Sequence, residues 1–267
     1  MRCKHCDAPL AAHDFWCSNC GKQTQVITKD LSSWRSLQKT WKKYLPAKGL
    51  NIPAAAVSII AGVIPMAAVL YAMNAFGRLD FSQNQETIPL LLNLLITAVG
   101  LAIFFPMLLI PFSAVCRTEG HSVGFKDVLG SLKDYPRQLL LSLLTALWFV
   151  VIYLVCFGLP KFGSDPILRL VWLVLVNYFW AVFLPVPILM ERLRQNPWKA
   201  FKTSYKHFHV ARWQLWRLAL ILILINLIAS GLAFIPLIFT LPLAWFAIRD
   251  YTDLLLEYEI IRSQKQG

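Results

Sequence analysis

Charged side chains are scarce in this chain of 267 residues, of which 15% are charged and 57% are hydrophobic. A soluble globular domain normally carries about 25% charged residues. No charged residue occurs in segments 49–77, 87–116, 138–160, 170–190 or 218–248. Because a helix of about 20 apolar residues crosses a bilayer, these runs exclude an ordinary soluble fold and predict a polytopic membrane protein.

Catalytic signatures are equally absent. The sequence contains no HExxH, GxSxG, GxGxxG or phosphate-loop motif. The segment from Cys116 to His121 brings an acid and a histidine into one loop. We interpret it as a solvated polar loop, because it has no partner group that would complete a catalytic site. The predicted spans contain amides and hydroxyls but no mid-membrane acid or base, which proton or ion transport normally uses. We therefore predict a protein that is not an enzyme.

Acidic residues number 14 against 26 lysines and arginines, giving a formal net charge of +12. Nucleic-acid binding is one reason for such an excess, but the basic residues concentrate in segments 29–48 and 191–217. The loops at 78–86 and 161–169 carry few of them. Since positively charged loops stay cytoplasmic, the charge indicates topology, and we do not expect a nucleic-acid partner. Apolar sequence begins near Asn51, so no cleavable signal peptide is expected.

Four of the six cysteines form two CxxC pairs, Cys3 with Cys6 and Cys17 with Cys20. Tetrahedral zinc takes four such thiolates at about 2.3 Å, and a full shell of four leaves no open position for a substrate. Residues 1–22 cannot bury a core, so the metal would supply most of their folding free energy. Disulfides or free thiols are the alternatives, but a reducing cytoplasm disfavours disulfides. We predict a small zinc-ribbon module holding one structural Zn²⁺.

The segment Phe15–Lys22 resembles the small zinc ribbons found at the N-terminus of many bacterial proteins. Gly21 fits the usual knuckle glycine, whereas Asp7 stands at that place in the first knuckle. His5 and His13 are further candidate ligands, which we expect to be solvated because four cysteines are present. The whole chain resembles bacterial polytopic membrane proteins of unknown function with a zinc-ribbon head. That resemblance and the charge distribution together imply a multi-pass protein of the bacterial inner membrane.

One eleven-residue pattern occurs three times, at 34–44, 125–135 and 198–208, each copy just before an apolar region. Its aromatic and apolar positions recur every three or four residues, with lysines beside them, which predicts an amphipathic helix in the headgroup layer of the membrane. An ordinary connecting helix packed on its own protein is the alternative. The residues assigned to the membrane interface are Trp34, Trp41, Tyr44, Phe125, Tyr135, Trp198, Phe201, Lys202, Tyr205, Lys206 and Phe208.

The repeat predicts an all-α membrane protein with six transmembrane helices, arranged as three units of an amphipathic helix and a hairpin. The domains are the ribbon at 1–22, a linker with the first interfacial helix at 23–48, and the transmembrane domain at 49–267. Segment 218–248 fits either one long tilted helix or most of a hairpin. The repeat favours the hairpin, with the C-terminus cytoplasmic and Arg249 paired to Asp253, four residues on.

Five prolines mark the second helix of each predicted hairpin: Pro106, Pro111, Pro185, Pro187 and Pro242. Proline removes a helical hydrogen bond and kinks the chain. Kinks at matching depth would either open a cavity or only shape the packing.

The closed zinc site, joined to a bundle without catalytic groups, predicts a non-enzymatic scaffold or regulator that binds a protein partner through the ribbon. The alternative is lipid or amphiphile transport, or membrane remodelling. It follows from the aromatic-basic helices, the prolines and a general likeness to lipid-transport membrane proteins that carry cytoplasmic zinc ribbons. In both cases the lipid bilayer is a partner.

Overall fold

The computed structural model of the chain describes residues 2–3, 5–9, 17, 19–20, 31–75, 87–118, 120–157, 166–232 and 235–257. Within them, regular secondary structure is helical apart from an isolated antiparallel bridge between Arg2 and Pro9. The predicted all-α class is confirmed for these residues. His13, Gly21, the linker at 23–30 and the outer loops at 78–86 and 161–165 lie outside them.

Twelve α-helices follow one another in the described part of the chain. The first three are α1 (Ser33–Tyr44), α2 (Ile52–Ser58) and α3 (Ile64–Ala75), connected by a 3-10 segment (Leu45–Asn51) and a π-helical turn (Ile59–Val63). Next come α4 (Thr87–Phe104), α5 (Pro106–Arg117), α6 (Phe125–Ser131), a 3-10 turn (Leu132–Asp134) and α7 (Tyr135–Phe157). The last are α8 (Pro166–Phe183), α9 (Val186–Arg192), α10 (Pro197–His207), a 3-10 turn (Phe208–Ala211), α11 (Arg212–Gly231) and α12 (Leu237–Glu257).

Five of the described helical segments are long and apolar enough to cross a membrane. They are Ser33–Ala72, Leu94–Arg117, Phe125–Cys156, Pro166–Arg192 and Arg212–Gly231. Segment 218–248 does not form one long helix, because α11 ends at Gly231 and α12 begins at Leu237, and the two helices pack against each other. The 21 residues of α12 include Arg249, Asp250 and Asp253. Because of these charges, α12 is not among the five segments that are apolar enough to cross a membrane.

Two of the prolines divide helices. Pro106 is the first residue of α5, directly after a break at Phe105, and Pro185 lies in the turn that separates α8 from α9. Pro187 is in the first turn of α9, where a missing N–H is tolerated. Pro111 and Pro242 lie inside α5 and α12.

The helices that contain or follow these prolines form the centre of the molecule. Segments 109–115 of α5, 186–190 of α9 and 243–248 of α12 are buried throughout. A helix that is apolar on all sides belongs in an interior, and these three pack on one another as an inner triangle. The amphipathic helices surround it, since α1 packs on α12, α6 on α5 and α10 on α9.

Candidate functional site

The four cysteines of the head come together in the structure. The Sγ atoms of Cys3, Cys6, Cys17 and Cys20 all lie within 4.8 Å of one another, and Cys3 and Cys17 are buried. The Cys3 and Cys20 sulfurs are 3.7 Å apart, and those of Cys6 and Cys17 are 3.4 Å apart. Four sulfurs placed tetrahedrally at about 2.3 Å from an ion would be about 3.8 Å apart. The cluster can therefore hold a metal ion, and all four cysteines are free of disulfide bonds.

The first knuckle has the backbone of a tight turn around these thiols. The Asp7 amide donates to the Cys3 carbonyl at 2.8 Å, and the His5 amide donates to the Cys3 sulfur at 3.4 Å. Asp7 adopts a φ of 56°, a left-handed conformation that aspartate tolerates better than most residues and that explains its place in the knuckle. Two hydrogen bonds, the larger effect coming from the backbone of Ala8 and the smaller from the side chain of Cys17, lower the pKa of the Cys6 thiol to about 6. The lower pKa favours the thiolate, which is the metal-binding form.

The described part of the membrane domain contains all three copies of the eleven-residue pattern, and three positions have the same exposure in every copy. The first position is exposed in each copy: Trp34 by 55%, Phe125 by 46% and Trp198 by 68%. The eighth position is also exposed: Trp41, Leu132 and Tyr205. The seventh position is buried in each copy: Thr40, Ser131 and Ser204. The first and eighth positions, seven residues apart, therefore lie on one exposed face of each helix, and the seventh position faces the protein.

Two rings assigned to the interface lie inside the protein instead. Tyr44 and Phe208, at the last position of the first and third copies, are each 1% exposed. Phe201 is partly buried, with its ring centroid 5.8 Å from that of Phe179, and Tyr135 is also partly buried. The other assigned residues are exposed: Trp34, Trp41, Phe125, Trp198, Lys202, Tyr205 and Lys206. Helical periodicity alone did not separate the rings that pack on the protein from those that point outward.

In each copy, one side-chain hydroxyl also donates a hydrogen bond to a backbone carbonyl of another helix, three residues before a proline. The donor–acceptor pairs are Tyr44 to Phe239 at 2.9 Å, Tyr135 to Ile103 at 2.8 Å and Ser204 to Val182 at 2.6 Å. The prolines are Pro242, Pro106 and Pro185. Proline removes the helical donor of the carbonyl four residues before it and bends the helix, so carbonyls beside the bend become accessible to hydroxyls of neighbouring helices. The second copy thus contacts α4, the third contacts α8, and the first contacts α12.

Three arginines of the inner helices lie at one end of the molecule: Arg117 and Arg192 are the last residues of α5 and α9, and Arg249 is inside α12. Arg192 donates to both carboxylate oxygens of Asp253, at 2.9 and 2.7 Å. Arg117 pairs with Asp134 and lies 3.7 Å from Glu191.

Arg249 is the most buried of the three, at 5% exposure. It donates to Asp250 at 2.8 Å and to the Gly120 carbonyl at 2.8 Å. The predicted pairing of Arg249 with Asp253 is therefore wrong. The flanking loop brings carbonyls to Arg249, and Asp253 lies beside Arg192 on a different helix.

His121 belongs to the same arrangement, which the sequence did not reveal. Its Nε2 lies 2.8 Å from the Asp250 carboxylate, and its ring packs on Phe246 with centroids 5.1 Å apart. Thr40 donates to the same carboxylate at 2.8 Å. The loop after α5 is therefore bound to α12 through His121, and to Asn51 of the 3-10 segment, which donates to the His121 carbonyl at 2.9 Å, rather than lying free in solvent as we predicted.

Beside this arrangement lies a polar cavity of about 730 Å³ bordered by α1, α5, α9 and α12. Six basic residues line it: Arg35, Lys39, Lys43, Arg117, Arg192 and Arg249. A second cavity, of about 340 Å³, lies among α3, α4, α7 and α8, and its lining is almost entirely apolar. Sequence patterning anticipated the basic end of the molecule, but it raised a cavity only as one of two consequences of the prolines and did not indicate its lining.

No protein-family model, no curated protein and no solved structure matches this chain.

Proposed function

We propose that this protein is a scaffold or regulator of the bacterial inner membrane, whose zinc ribbon binds a protein partner on the cytoplasmic side. The observation that carries the proposal is the cluster of four sulfurs, which would fill the tetrahedral shell of a zinc ion and leave no ligand position for chemistry. A zinc ion with four protein ligands stabilises the fold of the ribbon and takes no part in a reaction. The ribbon then acts through its surface, which would contact a partner protein.

The packing of the membrane domain also supports a scaffold. The inner helices α5, α9 and α12 are buried along their central segments, so the centre of the described bundle is filled by side chains. A filled centre suits a framework better than a conduit along its axis.

We infer six spans, with α12 as the sixth. This helix occupies the inner triangle together with α5 and α9, and α5 and α9 both belong to apolar segments of membrane-spanning length. Its charged residues lie toward its C-terminal end, where Arg249 and Asp250 bond each other. Paired charges near an interface cost far less than single charges at mid-membrane. Six spans put both termini on the same side of the membrane, and the positively charged loops place that side in the cytoplasm.

Site-specific crosslinking in cells tests the scaffold. A photo-crosslinking amino acid at exposed His5 should give a discrete protein adduct, whereas the same group at exposed Lys126 should not. The adduct should disappear in Cys17→Ser, because the head needs its metal to fold. The captured protein, once purified, should bind the zinc-loaded full-length chain in nanodiscs. No adduct at His5, or one indifferent to Cys17→Ser, would contradict the proposal.

The apolar cavity supports a second candidate function, the binding of a lipid or other amphiphile on its way through the membrane. Its size is at the lower end of the range of ligand pockets, about 300–1,000 Å³, and its lining suits hydrocarbon. Narrowing it with Ala146→Leu should reduce the amphiphile that co-purifies, as measured by native mass spectrometry, without changing zinc content. Equal retention by the wild type and the variant would exclude this function.

A further inference from the structure

We propose that the basic cavity bordered by α1, α5, α9 and α12 is a binding site for a phosphate-bearing anion. Six lysine and arginine residues line it against two acids, Asp250 and Asp253, a formal excess of four positive charges. Its volume of about 730 Å³ is well within the range of small-ligand sites. This inference rests on the membrane domain alone and does not depend on the zinc head.

The arginines of the cavity act as a fixed positive wall. Arg249 is held by the carbonyl of Gly120 and by Asp250, and Arg192 is held by both oxygens of Asp253. The N–H groups of these arginines already bond protein groups. The arginines would therefore attract an anion through their positive electrostatic potential rather than by hydrogen bonds to it. A charge already positioned by the protein needs no reorganisation when an anion enters.

The lysines of α1 supply the direct contacts. Lys39 and Lys43 are four residues apart, line the cavity and are exposed. In the part of the chain that the structure describes, neither forms an ion pair. Each ammonium group has three donors and binds phosphate as a point charge. The hydroxyl of Ser36 lines the same wall and offers a further donor.

The opposite side of α1 indicates how such a ligand would be reached. Trp34 and Trp41 are exposed there and border an apolar groove, on the far side of the helix from Lys39 and Lys43. A helix with exposed tryptophans on one side and lysines on the other lies at the boundary of acyl chains and headgroups. The cavity then opens at the depth of lipid phosphates and of the adjoining aqueous phase. The phosphate group can therefore come from an anionic lipid headgroup or from a free phosphate.

The test uses full-length, zinc-loaded protein in neutral detergent. Phosphatidic acid binding is measured by native mass spectrometry, with phosphatidylcholine as reference, and inorganic phosphate binding is measured by calorimetry. The test variant is K39Q/K43Q. The control K42Q/K48Q removes the same charge from the same segment, but neither Lys42 nor Lys48 lines the cavity. All four side chains are exposed, so both variants should fold.

We expect K39Q/K43Q to weaken binding by about tenfold or more, because each lysine near a surface contributes about a fivefold factor to anionic-lipid attraction. The control should stay within about twofold of wild type. Lysine-dependent binding of phosphatidic acid without binding of inorganic phosphate assigns the site to a lipid headgroup. Lysine-dependent binding of inorganic phosphate assigns it to a free phosphate group. Binding of neither probe, or an equal loss in both variants, would overturn the inference.

Discussion

The hydroxyl of Tyr44 provides the sharpest test of how α1 is held against α12. It donates to the Phe239 carbonyl at 2.9 Å, and the Tyr44 side chain is 1% exposed. Tyr44→Phe keeps the ring and its packing but leaves a buried carbonyl without that donor. Such a loss costs about 1–3 kcal/mol in soluble proteins and averages nearer 0.6 kcal/mol within membranes. We therefore expect a destabilisation of about 1 kcal/mol.

Thermal unfolding of the purified protein in detergent measures this effect. For a chain of this size, about 1 kcal/mol corresponds to a fall in Tm of about 2–4 °C. Tyr205→Phe is the matched control, because it makes the same chemical change on a side chain that is 55% exposed. That variant should remain within about 0.5 kcal/mol of wild type. If Tyr44→Phe were as stable as wild type, or both variants lost equally, α1 would not be held to α12 by this bond.

Three further predictions concern the head, an amphipathic helix and the topology. Purified protein should contain one zinc per chain, and Cys3→Ser should abolish it while the helical bundle remains folded by circular dichroism; full zinc content in Cys3→Ser would refute the four-cysteine site. A peptide of residues 196–212 should be more helical on anionic than on neutral vesicles, because its three lysines adjoin exposed aromatic rings, and equal helicity on both would remove the electrostatic contribution. A reporter fused after Gly267 should be active only in its cytoplasmic form, whereas periplasmic activity would rule out α12 as a sixth span.

The sequence by itself determined the features that depend on neighbours along the chain. Two CxxC turns predict four convergent thiols, and the structure brings their sulfurs within 4.8 Å of one another. Long uncharged runs predict membrane-length helices, and five are present in the described residues. The prolines predict interruptions, and Pro106 and Pro185 stand at helix breaks. Thiol spacing, hydropathy and missing amide hydrogens act over a few residues, so a linear pattern reveals them.

Only the tertiary structure decided which side of each amphipathic helix faces the protein. The spacing of Trp198, Tyr205 and Phe208 is compatible with one lipid-facing stripe, yet Phe208 is buried and the other two are exposed. Periodicity gives the width of an apolar face, but the surfaces that pack against the helix determine its rotation about its own axis.

The basic cavity likewise required the complete fold. Arg192 and Asp253 are 61 residues apart, and Tyr44 and Phe239 are 195 apart, so no local pattern pairs them. Arg249 has an acid four residues ahead, the usual helical partner, but it bonds Asp250 and loop carbonyls because the loop after α5 folds over it. Electrostatic partners that are distant along the chain come together only when the helices pack, so a local sequence pattern does not reveal them.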